Sequence, residues 1–186
     1  MCLCHRAQWD SRLTPKGIAQ AESLRSYLAE RPSGGRTFTA FDLVVVSPLT
    51  RTCETAQHIF GPARAPGTPA FACSAGPGGA PAPRVLVREE CRERWGEYVC
   101  DGRRPIREIM KEFPNFDWSE VEHDEDIYYS DKREPDSECC ERAVEASERA
   151  RARARLLSRE KTGRRALARD GRRSNDRESH SACTRA

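Results

Sequence analysis

Apolar positions recur along the chain in two rhythms. After Thr14-Pro15, residues Ile18, Ala21, Leu24 and Leu28 follow at three- and four-residue steps, which places them on one face of a helix over residues 14–30. Thr14 suits the N-cap and Pro15 the first helical position, and Pro32-Ser33-Gly34-Gly35 stops the helix. The run Phe41-Asp42-Leu43-Val44-Val45-Val46 is short, β-branched and mostly apolar, the pattern of a strand buried on both faces of a parallel sheet. Ser47-Pro48 is a second helix start. With Leu49, Cys53, Ala56 and Ile59 or Phe60 inward, it predicts a helix from Pro48 to about Phe60. Val85-Leu86-Val87 reads as a second strand, and Ile106, Ile109, Met110 and Phe113 as the apolar side of a helix from Pro105 to Phe113. Helix, buried strand and helix in tight succession are α/β wiring.

The remaining segments follow other patterns. Residues 61–83 are rich in Pro, Gly and Ala and nearly uncharged, which is expected of a flexible insertion. Residues 114–136 form an acidic and aromatic loop with Trp118, Tyr128 and Tyr129. From Glu138 the pattern is helical, but its apolar face fades after Val144, and Arg149, Arg151, Arg153 and Arg155 alternate with alanine.

Composition changes this picture at the C-terminal end. The 186 residues are 37% hydrophobic and 33% charged, with a net charge of +3. That mild figure conceals 13 Arg and Lys against 4 Asp and Glu from Arg149 to Ala186. The expected organisation is therefore a folded domain over residues 1–148, interrupted by the 61–83 insertion, and a basic, disordered tail over 149–186. A basic tail on an acidic body also fits a nucleic acid or acidic partner, although no aromatic residue interleaves with it. No apolar run approaches the roughly 20 residues of a membrane-spanning helix, and no apolar stretch near Met1 resembles a secretory signal. A cytoplasmic protein without membrane contact is expected. The nine cysteines are odd in number and include no C-x-x-C pair, which argues against a disulfide framework and against a structural metal. Free thiols, and no cofactor, are expected.

Two stretches carry candidate chemistry. Arg51 falls in the first turn of a helix that leaves the end of a buried parallel strand, the edge at which ligands bind in open α/β sheets. Free N–H groups and a fixed guanidinium fork at that edge suit a phosphate, although a plain surface arginine fits the spacing as well. In Glu89-Glu90-Cys91-Arg92-Glu93-Arg94-Trp95-Gly96, a carboxylate just past a strand and beside an indole could be a general acid with a raised pKa. A solvated charge run is the alternative.

Taken together these motifs resemble a known family. Asp10-Ser11-Arg12-Leu13-Thr14-Pro15-Lys16-Gly17 with Gln20-Ala21 and Leu24 is similar to the D-x-x-L-T-x-x-G-x-x-Q-A-x-x-L signature of the histidine phosphatase superfamily. Ser47-Pro48-Leu49, Arg51-Thr52 and Thr55-Ala56 resemble its second signature. Cys91-Arg92-Glu93-Arg94-Trp95-Gly96, Cys100-Asp101 and Arg103-Arg104, Phe113-Pro114 to Asp117, Glu122 to Asp126 and Arg133-Glu134-Pro135 resemble the phosphoglycerate-mutase-like branch of plants, algae and fungi. The resemblance covers residues 9–148 apart from the insertion, and implies a three-layer αβα fold.

It also implies metal-free phosphoryl chemistry on a phosphomonoester. A histidine of an Arg-His-Gly motif attacks phosphorus, arginines and a second histidine hold the phosphoryl oxygens, and a carboxylic acid protonates the leaving oxygen. By motif match Arg51 is the second of the phosphate-clamping arginines and Glu93 the acid. No Arg-His-Gly precedes Asp10: His5 lies in Cys4-His5-Arg6, and His180 lies in a charged stretch without a strand before it. His58 and His123 match no catalytic position. The expectation is a copy of the family incomplete at both ends. Its alternatives are a catalytically dead module that binds a phosphate ligand, or a binder of nucleic acid or an acidic partner through the basic tail.

Overall fold

The computed structural model describes residues 9–30, 41, 43–61 and 83–182, with side chains through residue 159 except that of Glu30. The chain divides into two compact units, Met1–Glu148 and Arg149–Ala186. In chain order the helices and strands are α1 (Pro15–Glu30), β1 (Leu43–Val46), α2 (Thr50–Phe60), β2 (Arg84–Val87), α3 (Ile106–Glu112) and α4 (Asp136–Ala182), with 3-10 turns at Glu89–Cys91 and Val99–Asp101. No helix among the described residues is long and apolar enough to cross a membrane. The 61–83 insertion lies almost wholly outside the described residues, as does His5.

The first unit is α/β. β1 and β2 pair in parallel with Leu43 opposite Arg84 and Val46 opposite Val87, and Leu86 makes an isolated parallel bridge to Asp117. The core lies between this sheet, α2, α3 and the turn that follows α3. Cys53, Ala56, Val85, Val87, Ile106, Ile109, Phe113, Phe116 and Trp118 are its buried members. Burial pushes the Cys53 thiol far above its ordinary pKa and keeps it neutral.

Several faces differ from the pattern read in the sequence. α1 rests on α2 through Ala21, Ile59, Leu28 and Phe60, whereas Leu24 is exposed. Met110 is exposed too, because Ile106, Ile109 and Phe113 fill the inner side of α3. β1 is half-buried along its length while Val85–Val87 of β2 are buried, and a groove of about 350 Å³ lined by Val44, Val46, Thr55, Ile59 and Phe60 runs beside β1.

Caps follow the sequence in one helix and depart from it in the other. The Thr14 hydroxyl accepts the Gly17 N–H at 3.2 Å, so α1 begins as its cap residue predicts. α2 does not use Ser47. Its N-terminal amide, on Thr50, donates to the carboxylate of Asp10 at 2.7 Å. Asp10 is buried with a positive φ of 49°, a conformation that aspartate tolerates better than most residues. Its carboxylate also accepts the Thr50 hydroxyl at 2.5 Å and Arg104 Nε at 3.0 Å. Glu54 of α2 returns the bond by accepting the Leu13 N–H at 2.7 Å. The D-x-x-L-T segment is thereby fastened to the start of α2 from both sides. Arg25 of α1 closes the other end of α2, donating to the carbonyls of His58 (3.3 Å) and Gly61.

Candidate functional site

The end of β1 and the start of α2 set the position of Arg51. The Thr52 hydroxyl donates to main-chain carbonyls of this connection, reaching Ser47 O at 2.8 Å and Leu49 O at 2.7 Å, and Asp10 caps the helix beneath it. The turn is locked by its own threonines, and Arg51 leaves it toward the segment that follows β2. There Arg51 Nη1 donates to the Cys100 carbonyl at 2.6 Å. Its Nη2 lies 3.5 Å from Glu93 Oε2 and 3.6 Å from Asp101 Oδ1. The two residues singled out by motif, Arg51 and Glu93, are thus brought together. The Arg51 side chain is 22% exposed and that of Glu93 78% exposed.

The environment of Glu93 differs from the apolar pocket that Trp95 predicts. The Trp95 ring stacks on Tyr128 at 4.8 Å and is covered by the Arg142 guanidinium at 3.9 Å, so its faces are taken and Glu93 points to solvent instead. What fixes Glu93 is the main chain. Arg142 of α4 donates to the carbonyls of Glu90 (2.8 Å), Arg92 (2.8 Å) and Glu93 (3.2 Å), and pairs with the buried Glu134 carboxylate at 2.5 Å. One guanidinium therefore braces the whole segment. Nothing in the spacing of residue 142 signals this role, because it depends on where α4 crosses the loop.

Behind the loop lies a buried ionic cluster. Arg103, fully enclosed, donates Nε to Glu89 at 2.7 Å and its remaining N–H groups to the carbonyls of His123 (2.8 Å), Asp124 (2.6 Å), Glu125 (3.1 Å) and Arg104 (3.2 Å). Arg92 bridges Glu89 at 3.2 Å and Asp126 at 2.9 Å. Burial alone would raise the Asp126 pKa, but the bond and charge of Arg92, together with the N–H groups of Arg103 and Tyr128, outweigh it and hold the carboxyl below its ordinary value. At Glu112, likewise, the pairs with Arg104 and Arg12 overcome the effect of burial and lower the pKa.

Gly96 turns the chain between these groups. It has φ of 84°, and a Cβ there would run into the Lys132 carbonyl, so the turn requires glycine. Of the described histidines, His58 pairs with Glu22 of α1 at 3.3 Å, and the His123 carbonyl receives Arg103. The side chain of His180 lies outside the described residues. Among the described residues no group of three or more His, Cys, Asp or Glu side chains is placed to hold a metal ion.

The family model described as histidine phosphatase superfamily (branch 1) matches residues 4–69. An Arabidopsis thaliana phosphoglycerate mutase-like protein is 34% identical over 148 residues, which cover 74% of this chain and 53% of that protein. Phosphoglycerate mutase-like protein 1 of the same organism is 34% identical over 137 residues, or 68% of this chain and 47% of that protein. Phosphoglycerate mutase-like protein 2 is 30% identical, over 73% of this chain and 49% of its own length. The chain spans about half the length of the curated relatives it matches. No solved structure matches it.

Proposed function

The chain belongs to the histidine phosphatase superfamily, on its phosphoglycerate-mutase-like branch, and from that premise we propose that residues 9–148 contribute the arginine and acid side of a phosphoryl site. The ligand is a phosphorylated small molecule, a phosphomonoester. Arg51 holds its non-bridging oxygens, since a guanidinium offers a permanently charged, planar fork of donors that matches a phosphate. Glu93 is the general acid. The observation that carries this reading is the approach of Glu93 to Arg51, 3.5 Å between Oε2 and Nη2, at the end of a parallel strand.

The chemistry in this reading is metal-free. A histidine nitrogen attacks phosphorus while the P–O bond to the alcohol breaks, Glu93 gives its proton to the departing oxygen, and Arg51 stabilises the charge gathered on the phosphoryl oxygens. Water then hydrolyses the phosphohistidine. In this reading residues 9–148 supply the clamp and the acid of a reaction whose nucleophile is a histidine. We place the protein in the reducing cytoplasm, on the strength of its unpaired cysteine spacing. Titration calorimetry with inorganic phosphate tests the clamp. Saturable binding that disappears in Arg51→Ala is expected; binding of equal strength in that variant would refute the assignment.

A second reading rests on the same contact. A module that binds a phosphate ligand without turning it over needs Arg51 but not Glu93. Hydrolysis of an aryl phosphate that Glu93→Gln slows more for poor leaving groups than for good ones favours the first reading, and saturable phosphate binding without hydrolysis the second.

A further inference from the structure

Two carboxylates approach the same nitrogen of Arg51, and they differ in freedom. Glu93 is 78% exposed at 3.5 Å, whereas Asp101 is 8% exposed at 3.6 Å. We propose that Asp101 is the positioning residue that aims the Arg51 fork at the phosphate, and that Arg133 in turn holds Asp101. The proposal rests on the reading of Arg51 as the phosphate clamp.

The 3-10 turn Val99–Asp101 engages both arms of Arg51. The Cys100 carbonyl takes Nη1 at 2.6 Å and the Asp101 carboxylate faces Nη2. An arginine has five N–H donors in a fixed plane, so fixing two arms on one side leaves the others pointing in a defined direction. The turn is itself immobilised. The Asp101 N–H donates to the Tyr98 carbonyl at 2.9 Å, and the Asp101 carbonyl receives Arg92 Nη2 at 2.5 Å. Arg133 pairs with the second carboxylate oxygen of Asp101, donates to the Gly96 carbonyl at 3.0 Å and lies over the Tyr98 ring at 4.8 Å. Arg133, Asp101 and Arg51 form a chain of alternating charge that ends on the clamp. An arriving phosphate can displace the exposed Glu93, while the enclosed Asp101 stays.

The sign of the effect separates orientation from charge. Removing a negative charge beside Arg51 would, by Coulomb attraction alone, tighten anion binding. Loss of a fixed fork loosens it. Asp101→Asn is therefore expected to weaken inorganic phosphate binding roughly tenfold, the scale of loss when a ligand-holding group loses its support. In an Arg51→Lys background, which has no fork to aim, only the Coulomb effect remains, and Asp101→Asn is expected to keep or slightly tighten affinity; a merely structural defect would weaken it in both backgrounds.

The experiment combines phosphate titration with NMR of the Arg51 side chain, its signals assigned by their loss in Arg51→Lys. Arg133→Met provides a second route to the same decoupling if Asp101→Asn does not fold. The wild-type guanidinium is expected to show separate, slowly rotating Nη signals that merge in either variant, together with the loss of affinity. Nη signals that stay restricted in both variants would overturn the proposal, as would freed signals with unchanged or tighter phosphate binding. Merged signals in a protein whose wild type binds no phosphate would uphold the Asp101–Arg51 coupling and sink the clamp reading instead.

Discussion

The Glu93 carboxylate stands 3.5 Å from the Arg51 guanidinium, one side chain mostly in solvent and the other mostly enclosed. A pair this exposed on one partner contributes about 0–1 kcal/mol, because water screens it and ordering the glutamate costs entropy. It is easily opened by an anion with higher charge. Glu93→Gln should therefore shift unfolding free energy by less than about 1 kcal/mol in a denaturant melt. A larger loss would mean that Glu93 serves the fold.

Asp10 should matter more to stability. Its buried carboxylate serves the Thr50 amide, the Thr50 hydroxyl and Arg104 together. Asp10→Ala removes a helix cap and leaves a cation short of a partner, for a loss of roughly 2–3 kcal/mol. The urea midpoint checks this, with Asp10→Asn expected to lose less because it can still cap Thr50.

The buried cluster offers a stronger test. Arg103→Met would leave the Glu89 carboxylate without its 2.7 Å partner and two loop carbonyls, on His123 and Glu125, without a donor. Breaking one side of a buried pair costs about 3–5 kcal/mol. A melt within about 1 kcal/mol of wild type would show that the site is wet and relaxed.

Acid should loosen the same region. The folded pKa values of Asp126 and Glu112 lie below their ordinary values of 3.8 and 4.5. Their contribution to stability is thus complete above those ordinary values and is lost as pH falls through the lower, folded ones. Denaturant melts are expected to hold steady down to the ordinary carboxylate range and decline below it, with a shallower decline in Asp126→Asn. A decline that begins near neutral pH would point to other groups.

Much of this arrangement was legible in the chain. The valine run, the Thr14 cap and the apolar steps of α2 and α3 are local signals, and β1, α1, α2 and α3 form where they indicate. Motif order also singled out Arg51 and Glu93, which the fold brings together. The cap of α2 was not legible at Ser47, because Asp10 reaches it from a distant part of the sequence. Nor could spacing show that Leu24 and Met110 face outward, since that depends on which neighbours arrive to cover a helix. Asp101, Arg133 and Arg142 stand in motif or helical stretches without any sign of their roles. Their importance comes from bonds to main-chain carbonyls and to each other, which only the folded loop creates.

The most direct test of the clamp is to follow every arginine side-chain resonance while inorganic phosphate is added. The account predicts that Arg51 signals move and saturate at low phosphate, while Arg149, Arg151 and Arg155 respond weakly and lose their response as salt is raised. Movement confined to the basic residues from Arg149 onward, with Arg51 unmoved, would contradict it.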